Sequence, residues 1–132
     1  MISLSEARND EIRDSQIRTR DTASSKNVFT RHYLATEGGS EVGFLSIDII
    51  PNVKHFVIYE IFVPSTLRRR GVGTQLLEAA EKMADGLGYQ STLLVPKTLD
   101  QEFGQRALED WYSRQGYTPD HNSGVGAFIK RL

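Results

Sequence analysis

The chain has 132 residues, 39% hydrophobic and 25% charged, with a formal net charge of -1 and no cysteine. This describes a soluble globular domain without a broad electrostatic pull toward nucleic acid or membrane, and it excludes disulfides, thiolate nucleophiles and cysteine-based metal sites. No apolar run approaches the roughly 18–20 residues of a membrane span, and Met1 to Asp14 is too polar for a secretory signal, so a cytoplasmic location is expected.

Ser5 to Arg20 is dense in charge of both signs, with Leu4, Ile12 and Ile17 as the only large apolar residues nearby. This thin stripe fits a helix or a mobile arm over residues 1–27, and Arg8, Arg13, Arg18 and Arg20, balanced by acids, are expected on a solvated face. Asp21 to Asn27 is a polar connector. Val28 to Ala35, Glu41 to Ile50 and His55 to Val63 are predicted strands, rich in β-branched and aromatic residues. The turn signals Glu37-Gly38-Gly39-Ser40 and Pro51-Asn52 separate them, which predicts an antiparallel meander. The third run is almost continuously apolar, as in a central strand covered on both faces.

The period then changes. Val72, Leu76, Leu77, Ala80, Met83, Ala84 and Leu87 recur at helical spacing, and Gly86 and Gly88 close the helix. Ser91 to Val95 is a short strand, so strand, helix and strand form a βαβ unit with parallel strands. Phe103 to Gln115 is a second helix, closed by Gly116. Tyr117 to Pro119 and Val125 to Lys130 are short strands around a turn. The fold class is α+β: a mixed, mostly antiparallel sheet of about six or seven strands with flanking helices, in one domain over residues 1–132.

The informative segment runs from Glu60-Ile61-Phe62-Val63 through Arg68-Arg69-Arg70-Gly71-Val72-Gly73-Thr74. It joins a central strand to a helix N-terminus through arginines and glycines. The first N–H groups of a helix have no internal partner, and its dipole puts partial positive charge there. Glycine allows close backbone approach and arginine adds forked donors, so a pyrophosphate is the natural guest. Neither the dinucleotide pattern nor the glycine-lysine-serine/threonine phosphate loop is present. Taken alone, the same residues also fit a tight turn with solvated arginines.

Arg68, Arg69-Arg70, Gly71, Val72 and Gly73 resemble the pyrophosphate motif of the GNAT N-acetyltransferases: glutamine or arginine, two residues, glycine, any residue, then glycine or alanine. Trp111-Tyr112-Ser113-Arg114-Gln115-Gly116-Tyr117 resembles the family's aromatic-tyrosine-x-x-x-glycine-aromatic signature on the second helix. The likeness spans Val28 to Leu132.

This resemblance implies an acetyl-CoA-dependent N-acetyltransferase whose fourth and fifth strands part to admit the cofactor. Backbone groups of Phe62 and Val63 would hold the pantetheine arm. N–H groups of Arg69 to Thr74 would bind pyrophosphate, with the side chains of Arg68, Arg69 and Arg70 reaching outer phosphates. Gln105 stands where the family often places a cofactor-binding asparagine. Tyr112 matches the acid that protonates the leaving thiolate, with Trp111 as a structural neighbour. Glu60, the lone charge in its strand, would be a base of raised pKa, and strict alternation places it on the same face as Ile58 and Phe62. Asp48 would face the acceptor cleft. His32, His55 and His121 are expected as surface or strand histidines, and no metal is required. The acceptor is a small-molecule or protein amine, with no nucleic acid or membrane partner and a possible homodimer. The alternative is a catalytically inactive coenzyme A sensor or interaction module.

Overall fold

The computed structural model describes residues 1–98 and 104–132. Seven strands lie among them: β1 (Ser3–Glu6), β2 (Thr30–Glu37), β3 (Ser40–Asp48), β4 (His55–Phe62), β5 (Ser91–Leu94), β6 (Thr118–Pro119) and β7 (Phe128–Arg131). Three α-helices accompany them: α1 (Ser15–Ala23), α2 (Val72–Gly86) and α3 (Gln105–Arg114). The strands form one sheet in the order β1-β2-β3-β4-β5-β7-β6. All neighbours are antiparallel except β4 and β5. The expected meander and parallel βαβ unit are both present. The anticipated helix start at Phe103 lies outside the described residues.

The N-terminal segment is better anchored than its composition suggests. Ser3–Glu6 adds an edge strand, pairing Ser3 with Thr36 through Glu6 with Tyr33. Asp14 caps α1 by accepting from the Ile17 N–H at 2.9 Å. Ile12 and Ile17 are buried with Phe44 of β3. Two such side chains each contribute roughly 1.5–3 kcal/mol on burial, so a thin stripe suffices to dock the helix. Three of the four arginines expected in solvent tie this segment down. Arg13 donates to the Gly39 carbonyl, Arg18 to the Ile12 carbonyl, and Arg20 to Glu60.

The opposite face of the sheet lies under α2. Val72, Leu76, Leu77, Ala80 and Ala84 are its buried stripe, packed with Leu45, Ile47, Phe56 and Ile58. Leu87, predicted on this stripe, lies just past the helix and is exposed. Gly43 sets the depth of packing, because a Cβ there would stand 2.7 Å from Leu76 Cδ1.

The β3–β4 register jumps from Ser46 opposite Glu60 to Ile47 opposite Ile58, so Tyr59 is an extra residue on β4. Such a bulge bends the strand and resets its alternation. This corrects half of the expected facing of Glu60: it shares a face with Phe62, as alternation predicts, but not with Ile58. Ile58 lies with the α2 cluster, whereas Glu60 lies with Ser46 and meets Arg20 of α1. Past the bulge the two central strands separate. The β4–β5 ladder runs from His55 opposite Ser91 to Ile58 opposite Leu94, while β4 continues along β3 to Phe62.

Candidate active site

Two cavities meet where β4 leaves β5. The larger, about 770 Å³, is lined by the end of β4, the arginine-glycine loop, the first turn of α2, and Trp111 and Tyr112 of α3. The smaller, about 200 Å³, lies toward α1 and includes Arg20, Ser24, Glu60, Lys97 and Tyr112. Ile61, Leu108 and Tyr112 line both, so they stand at the junction.

The loop after β4 has the shape of an anion cradle. Gly71 precedes α2 with φ 80 and supplies no capping side chain. Arg69 also holds a left-handed backbone, φ 66, a conformation that costs a non-glycine residue on the order of 1 kcal/mol. Left-handed residues beside a helix start turn successive N–H groups toward one concavity. Gln16 of α1 fixes the loop's base, accepting from the Ser65 N–H at 2.9 Å and donating to its Oγ at 3.2 Å. Arg68 Nε donates to the Val63 carbonyl at 3.1 Å, and its guanidinium lies 5.9 Å from the Phe62 ring centre. Arg68 is therefore turned back on β4 rather than outward. A Cβ on Gly73 would meet Trp111 at an ordinary 3.7 Å, so the loop's second glycine keeps room beside that ring.

Tyr112 is 7% exposed, wedged between Trp111 and Tyr117 with ring centres 4.8 and 5.8 Å away. Its hydroxyl makes no hydrogen bond among the described residues. Burial raises the phenol to about 12, because a phenolate would lose its hydration there. The group therefore stays protonated throughout the neutral range.

Glu60 is buried but not alone. Arg20 Nε and Nη2 each donate to one of its oxygens, both at 2.7 Å. The bond to Glu60 is the main reason the Arg20 pKa is raised. The premise of a lone, unpaired carboxylate therefore fails: a forked guanidinium partner supplies both charge and hydrogen bonds. Removing one member of such a pair leaves an uncompensated charge. Arg20→Met is expected to cost about 2–4 kcal/mol in urea unfolding, discounted for the partial exposure of Arg20. Arg20→Met/Glu60→Met should recover most of that loss, and a single-variant loss below about 1 kcal/mol would mean that the pair behaves as a solvated one.

The family model of the acetyltransferase (GNAT) domain matches residues 29–119. The chain belongs to the GNAT acetyltransferase family. Solved structures share the fold at low identity. An IAA acetyltransferase from Bacillus cereus is 19% identical over 100% of both chains, with a TM-score of 0.63. A GNAT family acetyltransferase from Elizabethkingia anophelis with acetyl-CoA bound is 13% identical over 99% of this chain and 98% of its own, with a TM-score of 0.71. A paia N-acetyltransferase from Thermoplasma acidophilum in complex with coenzyme A is 13% identical over 100% and 99%, with a TM-score of 0.67. No curated protein matches the sequence.

Within this GNAT domain, Phe62, Val63, Arg68, Arg69, Gly71, Val72, Gly73 and Thr74 all line the larger cavity, and Glu60 lines the smaller. Three expected site residues are placed elsewhere. Arg70 is exposed and outside both linings. Gln105 uses its amide locally, donating to the Pro96 carbonyl at 2.8 Å and accepting from the Thr98 N–H at 3.2 Å, and so ties the loop after β5 to α3. Asp48, at the end of β3, accepts from Thr30 Oγ1 at 2.6 Å and lines neither cavity. Trp111, expected as structural, lines the larger cavity. Nothing in their local sequence marks Arg20, Ser24 and Lys97 as site residues; the packing of α1 over the sheet brings Arg20 and Ser24 to the cavity that Lys97, after β5, also lines. His32 sits on β2 as a buried strand histidine, with Nδ1 2.8 Å from Asp21. Among the described residues no helix is long and apolar enough to cross a membrane.

Proposed function

We propose that this chain is an acetyl-CoA-dependent N-acetyltransferase that passes acetyl directly to a primary amine. The observation that carries this reading is the meeting of two cavities at Tyr112 where β4 and β5 part. The larger takes coenzyme A. Its pyrophosphate lies on the N–H groups of Arg69 to Thr74 at the start of α2, with the Arg69 side chain adding charge. Its pantetheine arm follows the open edge of β4 at Phe62 and Val63, beside Trp111. A volume of about 770 Å³ suits a cofactor-sized ligand. Arg68 serves to shape this edge through the Val63 carbonyl.

The amine enters from the smaller cavity. Glu60, held by Arg20, draws the ammonium in and orients it. Because both of its oxygens already accept from a guanidinium, Glu60 acts as an orienting charge, and the amine's proton passes to water at the cavity mouth. The free amine attacks the thioester carbonyl and forms a C–N bond. Backbone N–H groups near Val63 face the developing oxyanion. Collapse breaks the C–S bond, Tyr112 gives its proton to the departing thiolate, and the phenolate regains one from solvent. The second amine proton is lost to water, leaving a neutral amide.

Isothermal titration with acetyl-CoA, followed by thiol-release assays across primary amines, tests this reading. Saturable binding with acetylated product is expected. A well-folded chain that binds no acetyl-CoA overturns the proposal, and binding without transfer to any amine returns the coenzyme A sensor as the better description.

A further inference from the structure

The smaller cavity also narrows the chemistry of the acceptor, on the basis of the acetyl-transfer reading above. Among the described residues, three charged side chains line it: Arg20, Glu60 and the exposed Lys97. Glu60 is matched by Arg20, whose Nε and Nη2 are both committed to it. Lys97 makes no ion pair among the described residues. Among the described residues, two cations against one carboxylate leave the cavity lining with one positive charge in excess. Ser24 lines the same space, 7% exposed, and its buried Oγ has no hydrogen-bond partner among the described residues. A buried hydroxyl without a partner is a penalty that a bound acceptor group removes. The cavity is also small, about 200 Å³, below the range of drug-sized ligands.

We infer that the acceptor is a small amine that also carries a carboxylate: a free amino acid or short ω-amino acid. Its ammonium lies by Glu60 and Tyr112, and its carboxylate pairs with Lys97 and accepts from Ser24 Oγ. A charge-assisted contact of this kind is stronger than a neutral one. A polyamine fits worse, since its further ammonium groups would meet Arg20 and Lys97. A protein N-terminus presents an amide where the carboxylate should be and gives Lys97 nothing to pair with. In the reaction the carboxylate is unchanged: the C–N bond forms, the C–S bond breaks, Tyr112 supplies the thiol proton, and the amine's protons go to water.

The test compares the proteinogenic amino acids and β-alanine, each beside its carboxamide, with spermidine as a polycationic competitor, by release of coenzyme A thiol from acetyl-CoA. At least one acid should exceed its amide by about tenfold in kcat/KM. That ratio should shrink toward one in Lys97→Gln and in Ser24→Ala, while the acetyl-CoA Kd measured by titration stays unmoved. Preference for amides or for spermidine overturns the inference, and so does a chain that binds acetyl-CoA yet uses neither acids nor amides. Loss of acetyl-CoA binding itself is a different failure, which strikes the transfer reading on which this one rests.

Discussion

Tyr112→Phe is expected to lower kcat by roughly a hundredfold or more while leaving the acetyl-CoA Kd within about twofold, because general acid catalysis contributes on the order of 10²–10⁴. The substitution removes one oxygen. That hydroxyl makes no hydrogen bond among the described residues and lines both cavities, so its loss removes no bond that holds the fold. Stability by urea unfolding should be unchanged, which separates a chemical loss from a folding one. The pH dependence follows from the direction of the shift. Burial raises the phenol to about 12, so the protonated form persists through neutral and mildly alkaline pH. The wild-type rate should show no falling limb assignable to this acid below about pH 10, where a phenol of ordinary pKa would begin to ionise. An unimpaired kcat in Tyr112→Phe would remove Tyr112 from the reaction, leaving it as an aromatic of the core.

Much of this arrangement is legible in the sequence, and the misses share a physical origin. The stripe of α2 follows from side-chain period, because its apolar residues face a single neighbour, and the meander and the βαβ unit follow from apolar runs punctuated by turn residues. The loop from Arg68 to Gly73 is legible because its chemistry is local: glycines, arginines and a helix start adjacent in the chain. Glu60 shows where local reading ends. Its identity as a buried charge in β4 is visible, but its partner lies 40 residues away on α1. Its facing depends on an extra residue at Tyr59 that alternation alone does not reveal. Gln105 fails for the same reason. An amide at a helix start can reach a cofactor or its own preceding loop, and the carbonyl of Pro96 wins. Ser3–Glu6 is missed as a strand because an edge strand with one partner needs little apolar surface, and Leu4 supplies it.

The loop proposed to hold the pyrophosphate gives the other large effect, and its geometry separates charge from strain. Gly71→Glu is expected to raise the acetyl-CoA Kd by at least about a hundredfold. A side chain at φ 80 is strained by about 1–2 kcal/mol, yet a carboxylate beside a helix N-terminus recovers about 0.3–1 kcal/mol through the dipole. The fold should therefore survive, with the new carboxylate occupying the field meant for phosphate. Arg69→Gly separates the two contributions at the next position. Glycine relieves the backbone at φ 66, offset in part by the greater freedom of the unfolded chain, so stability should hold within about 1 kcal/mol. Binding should weaken roughly tenfold, because a charge the proposed function assigns to the phosphates is gone. Arg70→Gln is the internal control: its side chain is exposed and outside the cavity lining, so the Kd should move by less than about twofold in salt near physiological strength. Equal losses from Arg69→Gly and Arg70→Gln would mean that the loop attracts coenzyme A by diffuse charge. Loss confined to Gly71→Glu and Arg69→Gly would mean that the left-handed turn into α2 grips the pyrophosphate directly.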